Sequence, residues 1–193
     1  MGFVLVAYYT MGSIYEQSAI ELEKKAAALG LSCHVLGIPD RGDWCRNTEY
    51  KPFFVRDCMG RFPDKDIAYT DADSEIHRYP SLFDNPNADA LVRIQDFAWR
   101  KAECLSGTFF LRNNEKCKAM VHTWINKVSA GKTVRSKPET WEQHRLGEAL
   151  RESGVDWAQL PHEYVYFDHI EKAEGRVEFP VFTHKQYSRK QLK

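Results

Sequence analysis

The sequence predicts an α/β fold, in which helices lie on both faces of a mixed, mostly parallel sheet. The apolar, β-branched run Phe3–Tyr9 is typical of a buried first strand. Similar runs then alternate with stretches of helical periodicity, and this order favours parallel pairing of the strands. Because 43% of the 193 residues are hydrophobic and 13% are aromatic, the chain can fill a sizeable core. We expect residues 1–193 to form one compact domain.

Each element is predicted from its own local pattern. Apolar residues recur at helical spacing over Tyr15–Leu29, and Gly30 follows as a C-terminal cap. The later elements are predicted as a strand over Cys33–Ile38, a loop over Pro39–Asn47, a helix over Lys51–Gly60, strands over Ile67–Thr70, Ala88–Ile94 and Cys104–Arg112, helices over Glu115–Val128 and Trp141–Glu152, and a late strand over Glu163–Phe167.

Charge and composition exclude several classes of protein. The 27 basic and 27 acidic residues cancel, so no overall field draws the protein to nucleic acid or to an anionic membrane. No apolar run approaches the roughly 18 residues of a membrane span, and no signal-peptide pattern is present. The five cysteines form no CxxC pair, which indicates reduced thiols and a cytoplasmic location.

Two carboxylates follow the predicted strand Ile67–Thr70. Asp71 and Asp73 are two residues apart, so both side chains point to one face if the backbone stays extended. Ligands of such sheets bind beyond the carboxyl ends of the strands. A hard cation such as Mn²⁺ or Mg²⁺ would relieve the repulsion between the carboxylates and could hold a diphosphate. The alternative interpretation is a solvated acidic turn.

The segment Asp66–Asp73 resembles the strand and DxD motif of glycosyltransferases with the GT-A fold, which use nucleotide-diphosphate sugars. Further segments resemble the same family in order along residues 3–190: the first strand ending at Tyr8-Tyr9-Thr10, the helix Lys51–Asp57, the strand Leu105–Asn113, the helix start Trp141-Glu142-Gln143 and the C-terminal strand Val181–Gln186. The resemblance implies a single-domain GT-A, Rossmann-like enzyme. The chain is short for this fold, which makes the acceptor harder to infer than the donor.

The resemblance implies a metal site. Asp73 is the expected direct ligand, while Asp71 contacts either the metal or the ribose of the nucleotide. His184 is the expected third ligand, since a neutral imidazole suits Mn²⁺. The alternative for His184 is an exposed histidine in the C-terminal tail.

The resemblance also implies a donor site. Its residues are Tyr8 and Thr10 for the base, Lys51, Arg56, Lys185 and Arg189 for the phosphates, and Ser106, Gly107 and Thr108 for the sugar. Ordinary alternatives are core packing for Tyr8, solvated charges for the four basic residues and a plain strand glycine at Gly107. Uridine-diphosphate sugars are the commonest donors of the family.

Glu142 and Gln143 are expected near the anomeric carbon of the donor sugar. A carboxylate there could accept the proton of the acceptor hydroxyl, which corresponds to inversion of configuration. If configuration is retained, the leaving phosphate could take the proton instead. The sequence does not separate these two cases.

The sequence leaves both the acceptor and the class of function open. Basic residues at Lys127, Lys132, Arg135 and Lys137, with others in the C-terminal tail, could border a polyanionic acceptor such as modified DNA, or could be solvated surface. One alternative function is a non-catalytic module that binds a nucleotide sugar or a metal. Another is a phosphatase with a DxD motif, but that motif belongs on the first strand and here it follows the third.

Overall fold

A computed structural model describes residues 2–97, 100–131, 133–167 and 179–185. Its strands are β1 (Gly2–Thr10), β2 (Cys33–Ile38), β3 (Lys65–Thr70), β4 (Ser74–Ile76), β5 (Ala90–Phe97), β6 (Arg100–Leu111), β7 (Trp157–Gln159) and β8 (Phe182–His184). Its α-helices are α1 (Tyr15–Ala28), α2 (Trp44–Thr48), α3 (Lys51–Arg61), α4 (Glu115–Ala130) and α5 (Glu142–Ser153).

Six strands form the main sheet in the order β2-β1-β3-β6-β5-β7. The pairs β1–β2, β1–β3 and β5–β7 are parallel. Strand β6 runs antiparallel to both of its neighbours, β3 and β5. The mixed, mostly parallel sheet predicted from the sequence is therefore confirmed. Because β6 is reversed, its central residues lie beside the carboxyl end of β3, where Thr70 pairs with Thr108.

The side chains of β1 alternate between two apolar clusters, one on each face of the sheet. Phe3 and Leu5 pack in the cluster that contains Leu22 of α1. Val4 and Val6 pack in the other cluster, which α3, α4 and α5 complete. Each fully buried aliphatic side chain contributes roughly 1.5–3 kcal/mol to folding. Helices thus cover both faces, as predicted, and the open end of the sheet remains available for a ligand.

A small second sheet brings the C-terminal segment to the end of β3. Strands β4 and β8 pair antiparallel, with Ser74 opposite His184 and Ile76 opposite Phe182. The amide of Lys185 donates to the carbonyl oxygen of Asp73 at 3.1 Å, which extends this pairing by one bond. The pairing places His184 next to the Asp71-Ala72-Asp73 segment.

Two local predictions from the sequence were wrong. The loop predicted over Pro39–Asn47 contains the start of α2, because the Asp43 side chain caps the helix by accepting from the amide of Arg46 at 2.9 Å. The late strand predicted over Glu163–Phe167 is a 3-10 turn at His162–Tyr164 followed by a single bridge from Tyr166 to Thr183. The amide of Tyr164 donates to the carbonyl oxygen of Pro161, which forms the turn, so within the described ranges the segment pairs with the C-terminal segment only through backbone bonds at Glu163 and Tyr166.

Among the helices of the described ranges, none combines the length and the apolar character needed to cross a membrane.

Candidate active site

A cleft opens at the carboxyl ends of β1 and β3, beside the centre of β6. It is lined by many of the residues predicted from the sequence, namely Tyr8, Thr10, Lys51, Asp71, Asp73, Ser106, Gly107, Glu142, Gln143 and His184. These residues come from three strands (β1, β6 and β8), two helices (α3 and α5) and the segment between β3 and β4, and the fold brings them together.

Asp71, Asp73 and His184 form a compact cluster at the floor of the cleft. One possible ligand atom from each residue lies within 4.8 Å of the other two. Two carboxylates and one imidazole are a donor set that suits Mn²⁺, and the carboxylates also suit Mg²⁺. The geometry and the donor chemistry fit the divalent cation that the sequence predicts.

Gly107 provides the space beside this cluster. A Cβ atom at this position would lie 2.8 Å from Cε1 and 3.1 Å from Nδ1 of His184, and 3.4 Å from Oδ2 of Asp71. Any larger residue would therefore push into the space that the imidazole and the carboxylate border. The family resemblance implies that Gly107 contacts the donor sugar, and the structure adds that this glycine makes room for His184.

The His184 ring is almost fully buried, with 6% of its surface exposed. Burial lowers the pKa of His184 to about 4, because the attraction of Asp71 for a charged ring does not offset desolvation and Lys51 opposes it. The ring is therefore neutral near pH 7, as metal ligation requires. The expectation of an exposed tail histidine does not hold.

Lys51 lies at the centre of a buried charge network. Its Nζ atom is 2.9 Å from Oε1 of Glu142 and 3.0 Å from Oδ1 of Asp71, and it donates to both the hydroxyl and the carbonyl oxygen of Ser106. Burial opposes the charge of Lys51, but Asp71 and Glu142 outweigh it, so the pKa of Lys51 is raised above its ordinary value. Lys51 thus ties the candidate metal ligand Asp71 to the candidate catalytic residue Glu142.

The two oxygens of Asp71 have different surroundings. Oδ1 accepts from the Tyr69 hydroxyl at 2.8 Å and lies 3.0 Å from the Lys51 ammonium. Oδ2 faces the space beside Gly107 and His184. The interactions at Oδ1 orient the carboxylate, and Oδ2 is the oxygen that this orientation would offer to a cation at the cluster.

Glu142 begins α5 and is 5% exposed. Its Oε1 atom accepts from the Ser106 hydroxyl at 2.7 Å and pairs with Lys51. Its Oε2 atom is buried and has no hydrogen-bond partner within the part of the chain that the structure describes. Burial raises the pKa of Glu142, although Lys51 and Ser106 act in the opposite direction. A carboxylate with one anchored oxygen, one free oxygen and a raised pKa is suited to accept a proton from a bound hydroxyl.

Helix α4 holds the backbone of Glu142 in place. The indole N–H of the fully buried Trp124 donates to the Glu142 carbonyl oxygen at 2.8 Å. The neighbouring Gln143 also lines the cleft, and its amide donates to the Glu103 carboxylate. Both residues that the sequence placed near the anomeric carbon are therefore positioned by contacts from other elements.

Other predicted donor residues lie outside the lining of this cleft. Arg56 is exposed on α3, pairs with Asp57 at 2.7 Å and stacks over Phe53. Lys185 pairs with Glu21 at 3.3 Å. Thr108 lies behind the cleft, where its hydroxyl is bonded to Nε2 of His184.

The predicted residue Arg189 lies outside the described residues, as do Lys132, Lys190 and Lys193 among the other predicted basic residues. Of the other members, Lys127 pairs with Glu148 and Glu152, and Arg135 stacks over Trp44. These contacts give part of the predicted basic stretch partners within the protein.

Helix α2 forms a wall of the cleft that the sequence did not predict. Trp44, Asn47 and Thr48 all line the cleft. The Tyr8 hydroxyl donates to the carbonyl oxygen of Asn47 at 2.9 Å, which ties this wall to β1. Local sequence carries little signal for these residues, because their position depends on the packing of a five-residue helix. Tyr69 and Ser74 were also missed, although their positions flanking Asp71 and Asp73 could have indicated them.

The chain matches a known protein family. The model of the nucleotide-diphospho-sugar transferase family matches residues 52–192. A comparison with curated protein sequences finds no significant match.

Solved structures resemble the whole fold at low sequence identity. A glycosyltransferase involved in the glycosylation of the major capsid of PBCV-1 superposes with a TM-score of 0.72 at 14% identity, over 99% of this chain and 97% of that one. The galactosyltransferase LgtC, solved with donor and acceptor sugar analogs, superposes with a TM-score of 0.56 at 9% identity, over 94% of this chain and 86% of LgtC. GlyE of Streptococcus pneumoniae TIGR4 superposes with a TM-score of 0.60 at 11% identity, over 95% of this chain but 54% of GlyE. These likenesses confirm the GT-A fold that the sequence predicts.

Proposed function

Because this chain belongs to the nucleotide-diphospho-sugar transferase family and is a glycosyltransferase, we propose that it transfers a sugar from a uridine-diphosphate sugar in a reaction that depends on a bound divalent cation. The observation that carries the proposal is the Asp71, Asp73 and His184 cluster, which lies in the same cleft as Glu142, whose Oε2 atom has no hydrogen-bond partner among the residues that the structure describes. The uridine base is the most specific part of the proposal. Tyr8 and Thr10, the residues expected to bind the base, line the cleft where β1 ends.

Asp71, Asp73 and His184 would hold the cation, Mn²⁺ in preference to Mg²⁺ because one ligand is an imidazole. When bound, such a cation neutralises the charge that develops on a departing diphosphate. The protein contributes the fixed positions of the three ligands, and Lys51 and Tyr69 orient Asp71 from behind. Preorganisation of this kind lowers the barrier, because little has to reorient during the reaction.

In the proposed transfer, the acceptor oxygen bonds to the anomeric carbon while the bond from that carbon to the diphosphate oxygen breaks. The electron pair of the broken bond leaves with the diphosphate. If Glu142 Oε2 faces the acceptor hydroxyl, it takes the proton and the configuration inverts. If it faces a hydroxyl of the donor sugar, it positions the sugar, and the leaving diphosphate takes the proton. The stereochemistry of the product distinguishes these two roles of Glu142.

For the acceptor, a polyanion such as modified DNA remains the specific candidate from the sequence. Phosphate contacts would make the activity fall steeply as the salt concentration rises. A rate that does not change with salt would instead support an uncharged acceptor. The cleft lining favours an uncharged acceptor, because its acidic side chains outnumber its basic ones. The lining contains the ammonium of Lys51 and the carboxylates of Asp71, Asp73, Glu103 and Glu142.

Two further assignments belong to the same proposal. Residues 1–193 act as one catalytic domain, which is supported by a site assembled from residues as far apart as Tyr8 and His184. The enzyme works in the cytoplasm, which is supported by the free thiols of all five cysteines.

Thermal unfolding with a panel of nucleoside diphosphates, each with and without Mn²⁺, tests the function. A ligand at 100 times its Kd stabilises the native state by about 2.7 kcal/mol. We expect stabilisation with uridine diphosphate that requires Mn²⁺ and disappears in Asp73→Ala. Asp64→Ala is the matched control, because this exposed aspartate precedes β3 at the opposite end of the strand.

Turnover of the donor sugar, followed as release of the nucleoside diphosphate, completes the test. Binding without release would favour the non-catalytic module. An unchanged response in Asp73→Ala, or the same response in metal-free buffer, would contradict the metal site.

A further inference from the structure

A closed ring of hydrogen bonds lies behind the candidate metal ligands. Thr70 ends β3, Ser74 begins β4 and Thr108 lies in β6, and all three hydroxyls are buried. The Thr70 hydroxyl donates to Ser74 Oγ at 2.9 Å and is 2.9 Å from Thr108 Oγ1. His184 closes the ring, since Nε2 is 3.0 Å from Thr108 Oγ1 and Nδ1 is 3.2 Å from Ser74 Oγ.

The directions of these bonds follow from proton counting. Each hydroxyl has one proton to donate. Thr70 gives its proton to Ser74, so the proton between Thr70 and Thr108 must come from Thr108. Thr108 then has no proton left for His184, so its hydroxyl oxygen must accept a hydrogen bond from the imidazole N–H at Nε2. The neutral ring therefore carries its proton on Nε2, and Nδ1 is an acceptor.

Nδ1 is also the ring nitrogen on the cation side. It lies nearer than Nε2 to the space beside Gly107 that Oδ2 of Asp71 borders. Its partner in the ring, Ser74, follows Asp73 directly in the chain. The bond from Ser74 to Nδ1 is the longest of the four, at 3.2 Å. A cation can therefore replace the Ser74 proton at Nδ1, while the other three bonds of the ring stay intact.

We propose that Thr108 and Thr70 are positioning residues that hold His184 in the Nε2–H tautomer, and that Ser74 occupies Nδ1 until a divalent cation replaces its proton. A ligating histidine commonly donates its second N–H to a fixed acceptor, which sets the orientation of the ring and its basicity. Here the acceptor is a threonine hydroxyl, which a second threonine keeps in the accepting orientation. This inference rests on the proposed metal site.

Substitutions at Thr108 and Ser74 are expected to have opposite effects on Mn²⁺ affinity. In Thr108→Val the acceptor for Nε2–H is gone, so the ring proton is expected to move to Nδ1, where it bonds to Ser74 and blocks the cation. Loss of such an outer partner weakens metal binding by about 10–100-fold. Thr108→Ser keeps the hydroxyl and should bind Mn²⁺ nearly as well as the wild type. Ser74→Ala removes the competing proton at Nδ1 and also the acceptor of the Thr70 hydroxyl. Because Thr108 still offers Nε2–H an acceptor and no proton then competes for Nδ1, this variant should bind Mn²⁺ at least as tightly as the wild type.

Two measurements on the full chain test this scheme. Titration with MnCl₂ alone, followed by calorimetry, gives the affinity of the wild type and of the three variants. Nitrogen-15 NMR of the histidine rings in metal-free protein gives the tautomer of His184. Thermal unfolding shows whether each variant folds, and Thr108→Ser, which loses a buried methyl group, separates lost stability from lost affinity.

The expected result is an Nε2–H tautomer in the wild type, an Nδ1–H tautomer with weak Mn²⁺ binding in Thr108→Val, and recovery of both in Thr108→Ser. An Nδ1–H tautomer in the wild type would overturn the inference. Equal Mn²⁺ affinities of Thr108→Val and the wild type would do the same, as would weakened binding in Ser74→Ala. If the wild type binds no Mn²⁺, the proposed metal site fails, and the NMR result still shows whether the hydrogen bonds hold His184 in the Nε2–H tautomer.

Discussion

The ammonium of Lys51 and the carboxylate of Glu142 form a buried ion pair, with Nζ 2.9 Å from Oε1. Both side chains are more than nine-tenths buried, and Asp71 is the second anion beside the same ammonium. Removing one member of a buried ion pair leaves an uncompensated charge, which is far more costly than the loss of a surface contact. This pair therefore couples the stability of the fold to the arrangement of the candidate active site.

We expect Lys51→Met to destabilise the protein by about 3–5 kcal/mol, because two carboxylates lose their shared cation. Denaturation in urea measures the change in the free energy of unfolding. The matched control is Lys118→Met, since Lys118 pairs with Glu115 at 2.8 Å on the exposed surface of α4. An exposed pair of this kind contributes about 0–1 kcal/mol. Equal losses in the two variants would show that the buried pair has no special weight.

Gly107→Ala should weaken Mn²⁺ binding. The added methyl group would lie 2.8 Å from Cε1 of His184, so the imidazole has to shift from its position beside Asp71. Titration with MnCl₂ measures the effect. Gly60→Ala is the control, because its Cβ would meet no atom within 4 Å and it lies in α3. There the substitution should stabilise the protein by about 0.4–1 kcal/mol. Unchanged Mn²⁺ affinity in Gly107→Ala would contradict the packing of His184 against this glycine.

Trp124→Phe should reduce both stability and kcat. The variant removes the indole N–H that binds the Glu142 carbonyl oxygen, and a buried polar group left without its partner costs about 1–3 kcal/mol. We expect kcat to fall because the start of α5 is then less firmly held. Trp157→Phe serves as the comparison, since Trp157 is 41% exposed on the edge strand β7. A loss of stability with normal kcat would show that this hydrogen bond is not needed to position Glu142 for the reaction.

Arg56→Ala should leave KM for the donor sugar unchanged. Arg56 is exposed, pairs with its chain neighbour Asp57 and does not line the cleft. Substitutions at such surface positions change stability by roughly 0.5 kcal/mol or less. Steady-state kinetics with varied donor concentration makes the comparison with the wild type. A raised KM would return Arg56 to the donor site, where the sequence had placed it.

The sequence predicted the parts of the site that depend on local pattern. The alternation of strands and helices follows from hydrophobic periodicity, and Asp71 and Asp73 stand out because they directly follow a buried strand. The family resemblance then indicated Glu142, Gln143 and His184. Elements with weak local signals were missed, such as the three-residue strands β4 and β7, which exist because neighbouring strands pair with them.

Lys51 shows why a sequence alone could not describe the chemistry of the cleft. Its position on a helix was compatible with a phosphate contact or with a solvated charge, since either fits a lysine near the start of a helix. The structure instead surrounds it with Ser106, Asp71 and Glu142, which come from three other parts of the chain. Burial and charge pairing are properties of neighbours in space, and the most distant of those neighbours, Glu142, lies 91 positions after Lys51 along the chain.

By itself, the sequence determined the α/β class, the carboxylates at the end of β3 and the identities of the groups available for catalysis, because each is a property of short segments. Only the tertiary structure decided that His184 meets Asp71 and Asp73, that Oε2 of Glu142 has no hydrogen-bond partner among the described residues, and that hydroxyls from Thr70, Ser74 and Thr108 form a closed set of hydrogen bonds with one imidazole. Those arrangements depend on the register of β3 with β6 and of β4 with β8. A shift of either register by one residue would turn these side chains to the opposite face and dissolve the site.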